Sequence, residues 1–179
     1  MTHELNYVTF SSDAGWVGIL GSAKGLLAAT LPQHSSEKAR QLLGDSADRA
    51  ASSPSLFEDL MERLRIYFGG HKADFPDELD LSSATPFQRR VWEIARLIPY
   101  GETRSYSWVA EQIGKPGAVR AVGQALGRNP LLIIIPCHRV LTSQGKLGGY
   151  REGVEVKRRL LFLEAAVSIR QKLDRLAIG

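Results

Sequence analysis

A single cysteine, Cys137, occurs among the 179 residues, so no internal disulfide can brace the fold. Nothing therefore demands an oxidising compartment. Long apolar runs are missing too. The longest, Leu131 to Ile135, falls far below the roughly 20 residues that a membrane-spanning helix needs. The start, Met1-Thr2-His3-Glu4, lacks the basic stretch and apolar run of a signal peptide. There is no glycine-rich phosphate loop, no dinucleotide fingerprint and no metal-ligand cluster, since His3, His34 and His71 are scattered. No cofactor and no metal are expected. Repeats and low-complexity tracts are absent as well. What these exclusions leave is a soluble, cytoplasmic protein of one ordinary domain or two small ones, long enough to bury a real core.

Charge is present but uneven. Up to Leu81 there are seven Lys/Arg against twelve Asp/Glu, five net negative charges. From Ser82 onward there are sixteen against seven, nine net positive charges. We divide the chain there, into an N-terminal α/β domain over 1–81 and a C-terminal domain over 82–179. A basic half suggests a polyanionic partner, with a merely solvated surface as the plain alternative.

The first part reads as strands at Asn6–Ser11, Gly15–Leu20 and Gly25–Leu31, separated by turn residues, and so as a small antiparallel sheet. A short helix is expected over Ser35–Leu43. Ser55-Leu56-Phe57-Glu58 has the form of a capping box, with Leu56, Leu60, Leu64 and Phe68 at helical spacing behind it. The second part opens on another capping box, Thr85-Pro86-Phe87-Gln88, before a helix with Phe87, Val91, Trp92, Ala95 and Ile98 on one face. Ser105 can cap a helix Tyr106–Ile113, and the break Gly114-Lys115-Pro116-Gly117 precedes another, Ala118–Leu126. Two short helices joined by a glycine-containing turn have the form of a helix-turn-helix, although helical hairpins of other use look the same. The second helix is rich in small residues, Ala118, Ala121, Gly123 and Ala125, and Arg120 is its only charge. The fold class expected is α+β, with a mostly helical C-terminal domain that carries an active-site loop.

Leu131 to Ile135 is a candidate buried strand, ended by Pro136. Cys137 and His138 follow. A thiol has a free pKa of about 8.5 and needs a neighbouring base or cation to act as a nucleophile. On a regular strand, however, neighbours point to opposite faces. The pair can cooperate only if the proline distorts the chain or something bridges them. Spacing alone thus suggests a reactive cysteine without establishing one.

The run Pro136-Cys137-His138-Arg139-Val140, followed by Gly145-Lys146-Leu147-Gly148-Gly149-Tyr150, resembles the active-site signature of the O6-alkylguanine-DNA alkyltransferases. The resemblance covers roughly Thr85 to Glu164, through Gly101-Glu102-Thr103-Arg104-Ser105-Tyr106, Arg120-Ala121-Val122-Gly123, Asn129-Pro130, Lys157 and Leu160-Leu161-Phe162-Leu163-Glu164. It implies a monomer that binds double-stranded DNA through the minor groove and flips out O6-alkylguanine, and also O4-alkylthymine. It implies transfer of the alkyl group to Cys137 through a relay of Cys137, water, His138 and Glu164, with Asn129 shaping the turn. Tyr106 would rotate the nucleotide and donate to the leaving base. Arg120 would fill the gap left by the base. Ser107, Lys115, Gln88, Arg128 and Ser143 would contact the DNA backbone. Leu126, Val140, Tyr150 and Arg151 would line the pocket. Leu131-Leu132 stands where some relatives have proline, and Arg151-Glu152 where some have smaller residues, which bears on the size of alkyl group accepted. A thioether product has no easy hydrolysis route, so one turnover per molecule is expected. Residues 165–179 run past the usual end of the family and have helical character through Val167, Leu173 and Leu176.

Overall fold

The computed structural model describes residues 4–178, the side chain of residue 178 excepted. His3 and the opening residues 1–3 lie outside it. By contact the chain forms two compact units. The first comprises residues 1–69, 73–84 and 130–134, the second residues 70–72, 85–129 and 135–179. No helix among the described residues is long and apolar enough to cross a membrane.

In the first unit, β1 (Asn6–Ser12), β2 (Gly15–Ser22) and β3 (Gly25–Ala29) form an antiparallel meander. Two-residue loops join them, and Gly15 and Gly25 sit at φ 133° and 145°, angles that a side chain would strain. A fourth strand, β4 (Ala51–Ser52), pairs parallel with β1 in the order β3-β2-β1-β4. Its two residues are too short for an alternation to signal. Helix α1 (Ser36–Leu42) is capped by the Ser35 hydroxyl. It packs directly on β2, where a Cβ at Gly18 would meet the Ala39 carbonyl oxygen at 2.9 Å.

The capping box expected at Ser55 does not form. Pro54 sets a helical φ one residue earlier, so Pro54–Phe57 winds as a 3-10 turn and α2 (Glu58–Phe68) follows without a side-chain cap. Leu60, Leu64 and Tyr67 then face inward while Leu56 is exposed.

The second unit holds α3 (Pro86–Arg96), with the full Thr85–Gln88 capping box, and α4 (Tyr106–Gln112), capped by Ser105. The turn through Gly114, at φ 74°, leads to α5 (Val119–Gly127). The three helices pack on one another. Their core includes Val91, Trp92, Ala95, Val109, Val122 and Ala125, and the Trp92 indole donates to the Ala125 carbonyl at 2.8 Å. Two short parallel strands, β5 (Arg104–Ser105) and β6 (Val140–Leu141), tie the start of α4 to the segment after Cys137. Helix α6 (Val154–Ile178) ends the chain. The tail therefore continues this helix.

Leu131–Ile135 is no regular strand. All five residues are buried, but the segment makes isolated bridges in place of a ladder, Leu131 to Ala29 among them, and Ile133 turns at φ 72°. That angle is rare for a β-branched residue. Pro130 and Pro136 remove an amide at each end, and Pro130–Ile134 belong to the first unit while their neighbours belong to the second.

Candidate active site

Cys137 opens a single 3-10 turn, Cys137–Arg139, closed by the Arg139 amide on the Pro136 carbonyl at 3.0 Å. The strand geometry that would separate Cys137 from His138 is therefore not the local geometry. Cys137 is buried and its sulfur accepts from Asn129 Nδ2 at 3.1 Å. The same amide donates to the Ile135 carbonyl at 2.8 Å. Asn129 thus holds both the sulfur and the backbone just before it.

His138 is fully buried, and its Nε2 lies 2.5 Å from Glu164 Oε2. A carboxylate only accepts, so Nε2 carries the proton and Nδ1 is the basic nitrogen. Nδ1 is buried and makes no hydrogen bond to the protein. Glu164 also accepts from Arg139, Nε to Oε1 at 2.7 Å and Nη2 to Oε2 at 3.3 Å, and from the Gly101 amide at 3.2 Å. Burial works against ionisation of Glu164, but the bonds and charges of His138 and Arg139 outweigh it and hold the carboxyl down to about 2. Burial pushes His138 down despite Glu164, so its imidazole is neutral at neutral pH. Gly101 permits this closure because a Cβ there would overlap Ser168 Oγ, and its φ is 78°.

Helix α6 supplies a second buried cation. Lys157, fully buried, donates to the Val140 carbonyl at 2.7 Å, the Gly149 carbonyl at 3.2 Å and Tyr106 Oη at 3.3 Å. None of these partners is charged. Burial lowers Lys157 to about 8, while Cys137 acts to raise it. Glu164 and Arg139 offset each other, whereas Lys157 forms no ion pair among the described residues. Burial also pushes the thiol itself up, against the Asn129 bond and the charges of Lys157 and Arg151. The cations expected to lower it are present, but desolvation wins, and the sulfur rests as a thiol.

Tyr106 starts α4. Its hydroxyl donates weakly to the Gly149 carbonyl at 3.4 Å, and its ring lies 5.5 Å from the Lys157 ammonium. Burial and then Cys137 raise its phenol, so it stays a proton donor. Gly148, at φ 68°, lets the loop close over it, since a Cβ would fall 2.9 Å from Tyr106 Oη. Tyr150 is half-buried beside the sulfur, and its phenol is likewise raised, by burial first and then Cys137.

The expected residues thus fall into two sets. Asn129 bonds the Cys137 sulfur, and Tyr106 and Tyr150 lie close enough to feel its charge, while His138 and Glu164 form a buried pair of their own that starts at the next residue. Val140 and Leu126 are buried, in β6 and at the end of α5, while Arg151 is exposed and paired with Glu152. Arg120 is exposed in the first turn of α5 and makes no ion pair among the described residues. Lys115 is exposed in the turn between α4 and α5, Arg128 is exposed just after α5, and Ser143 is exposed after β6. Ser107 is half-buried in α4, and the side-chain oxygen of Gln88 is held in the cap of α3 at 3.0 Å from the Thr85 amide. Sequence reasoning gave Arg139 and Lys157 no role. A signal for Lys157 was present: Lys157, Leu160, Glu164 and Val167 follow the spacing of one buried helix face, with charges at two of its four positions.

The chain is similar to known proteins along most of its length. Residues 86–166 match the family described as 6-O-methylguanine DNA methyltransferase, DNA binding domain. The methylated-DNA–protein-cysteine methyltransferase of Mycobacterium bovis is 42% identical over 160 residues, 89% of this chain and 92% of that protein. The protein of the same name from Methanosarcina acetivorans is 38% identical over 89% of this chain and 98% of its own length. Among solved structures, Mycobacterium tuberculosis OGT in complex with DNA is 43% identical, with a TM-score of 0.75 over 90% of this chain and 94% of that one.

Proposed function

The chain belongs to the methylated-DNA–protein-cysteine methyltransferase family, and from that premise we propose that it repairs double-stranded DNA by moving the alkyl group of O6-alkylguanine onto Cys137. The reading rests on one arrangement: a buried thiol held by Asn129 at 3.1 Å, followed in the chain by an uncharged histidine held by Glu164, with the charge of Lys157 acting on the sulfur. Sulfur attacks the alkyl carbon, the carbon–oxygen bond breaks, and its electron pair leaves with guanine. The thiol proton ends, in net, on the released base. His138 Nδ1 takes that proton by way of water, and Glu164 keeps the other ring nitrogen protonated. Lys157 offsets the charge of the thiolate once it forms. Tyr106, kept protonated, donates to the departing guanine.

DNA binding is assigned to the α4–α5 pair as a helix-turn-helix, with Arg120 entering the space of a flipped base. Ser107, Lys115, Gln88, Arg128 and Ser143 contact the sugar-phosphate backbone. Leu126, Val140, Tyr150 and Arg151 bound the pocket, and O4-alkylthymine is a second substrate. The protein acts as a cytoplasmic monomer, and each molecule reacts once, because a thioether is not hydrolysed and no second thiol can accept the group.

Intact-mass measurement after incubation with a duplex containing O6-methylguanine tests this directly. The expected result is one added methyl group, on Cys137, at no more than one equivalent. Binding without mass gain would identify a damage-recognition protein, and repeated turnover a hydrolase. Cys137→Ser should bind the lesion and transfer nothing. Repair by that variant would remove Cys137 from the mechanism.

A further inference from the structure

Helix α6 presents two faces. Leu160, Glu164 and Val167 are buried, at 7%, 1% and 4% exposure, and this face holds the helix to its own unit. The other face carries Phe162, Ala166, Ile169, Leu173 and Leu176, spaced four, three, four and three residues apart. That is the alternation of a helix–helix seam. Its large members are 73%, 59%, 60% and 76% exposed. An apolar row this continuous is not the scatter of single surface hydrophobics found on any protein. The family match ends at residue 166, so Ile169, Leu173 and Leu176 lie beyond it.

The charges beside the seam choose among occupants. Arg170 and Lys172 flank it on opposite sides, both are exposed, and neither makes an ion pair among the described residues. Asp174 lies around the helix from the seam and Glu164 faces the active site. A second copy set antiparallel would bring Arg170 against Arg170 and Lys172 against Lys172. A parallel copy would bring each against alanine. In neither case does a carboxylate meet either cation. Nucleic acid would suit the two cations but leaves a row of large apolar side chains without a purpose.

We propose that the outer face of α6 from Phe162 to Leu176 docks an amphipathic helix of another protein, one with an apolar seam flanked by Asp or Glu. Flanking charges set partner choice in such pairs. Only about two heptads are available, so the complex is transient and forms in addition to DNA repair.

The probe is a synthetic helix of about four heptads with Leu at the seam and Glu beside it, compared with a twin carrying Lys in place of Glu. Titrated against the full-length protein, the Glu peptide should bind and the Lys peptide should not. Binding should weaken about tenfold or more as salt rises from about 50 mM to about 500 mM. Ile169→Glu with Leu173→Glu should abolish binding while methyl transfer and the circular dichroism spectrum stay unchanged, since both side chains are exposed. Equal binding of the two peptides, no binding of either, or concentration-dependent dimerisation through this face in sedimentation would overturn the proposal.

Discussion

Replacing Lys157 by methionine removes a buried charge near Cys137 that no carboxylate among the described residues pairs with. Methionine keeps the length of the stem and leaves the buried Val140 carbonyl without its ammonium donor, at about 1–3 kcal/mol. The electrostatic consequence is separable from that cost. Opposite charges roughly 6 Å apart at an effective dielectric of about 20 attract by about 3 kcal/mol, or about two units of thiol pKa. Thiolate at pH 7 would fall about 100-fold, while the more basic sulfur is about tenfold more nucleophilic if its Brønsted slope is about 0.5. Net transfer should slow about tenfold at pH 7. The pH dependence carries the decisive sign. Lys157 is lowered to about 8, so in the unaltered protein its help is complete below that pH and fades above it. The ratio of the two rates should therefore be largest at pH 6–7 and shrink toward one above about pH 8. Single-turnover transfer with protein in excess over labelled duplex measures it. Lesion affinity in a Cys137→Ser background, with and without the change, removes binding from the comparison. A ratio constant across pH would show that Lys157 only braces the loop, and the charge argument would fail.

Glu164→Gln should cost about 3–5 kcal/mol, because Arg139 is left buried without its counter-charge. Glu164 is held near 2 against an ordinary 4.5, so it contributes about 3 kcal/mol that is present above pH 4.5 and lost as pH falls toward 2. His138, lowered by burial, acts in the same direction below its ordinary value. Denaturant unfolding at neutral and acid pH should show steep acid destabilisation in the unaltered protein and a shallower one in the variant; parallel curves would refute the assignment. Gly148→Ala places a methyl group 2.9 Å from Tyr106 Oη at a φ of 68°, so Tyr106 must move. Transfer should slow by about tenfold or more, the cost of misplacing a group that acts by position. Cys137 alkylation by iodoacetamide should change little; an equal loss there would point to general damage at the site.

Much of this protein was legible along the chain because its causes are local. The strands β1 to β3 followed from short runs set between turn residues, and the caps at Thr85 and Ser105 formed with the hydroxyls that the sequence offers there. A cap depends on residues three apart, so nothing distant can rewrite it. The cap at Ser55 failed for an equally local reason, the neighbouring Pro54. Cys137 stood out through its neighbours, and the family resemblance named a partner for it in Glu164.

Tertiary structure decided what depends on surroundings. Leu131–Ile135 had the composition of a strand, but a strand also needs a paired edge, and two prolines with a turn at Ile133 left it isolated bridges in place of a ladder. The fate of a buried charge cannot be read from its own residue, since it depends on what stands opposite. Arg139 is balanced by Glu164, whereas Lys157, on the same helix as Glu164, meets only neutral oxygens. The protonation of Cys137 is a balance of the same kind. The chain determined by itself that a thiol, an imidazole and a carboxylate would be available. Only the fold, by stripping water from the sulfur while leaving one cation unmatched beside it, decided how that thiol is held.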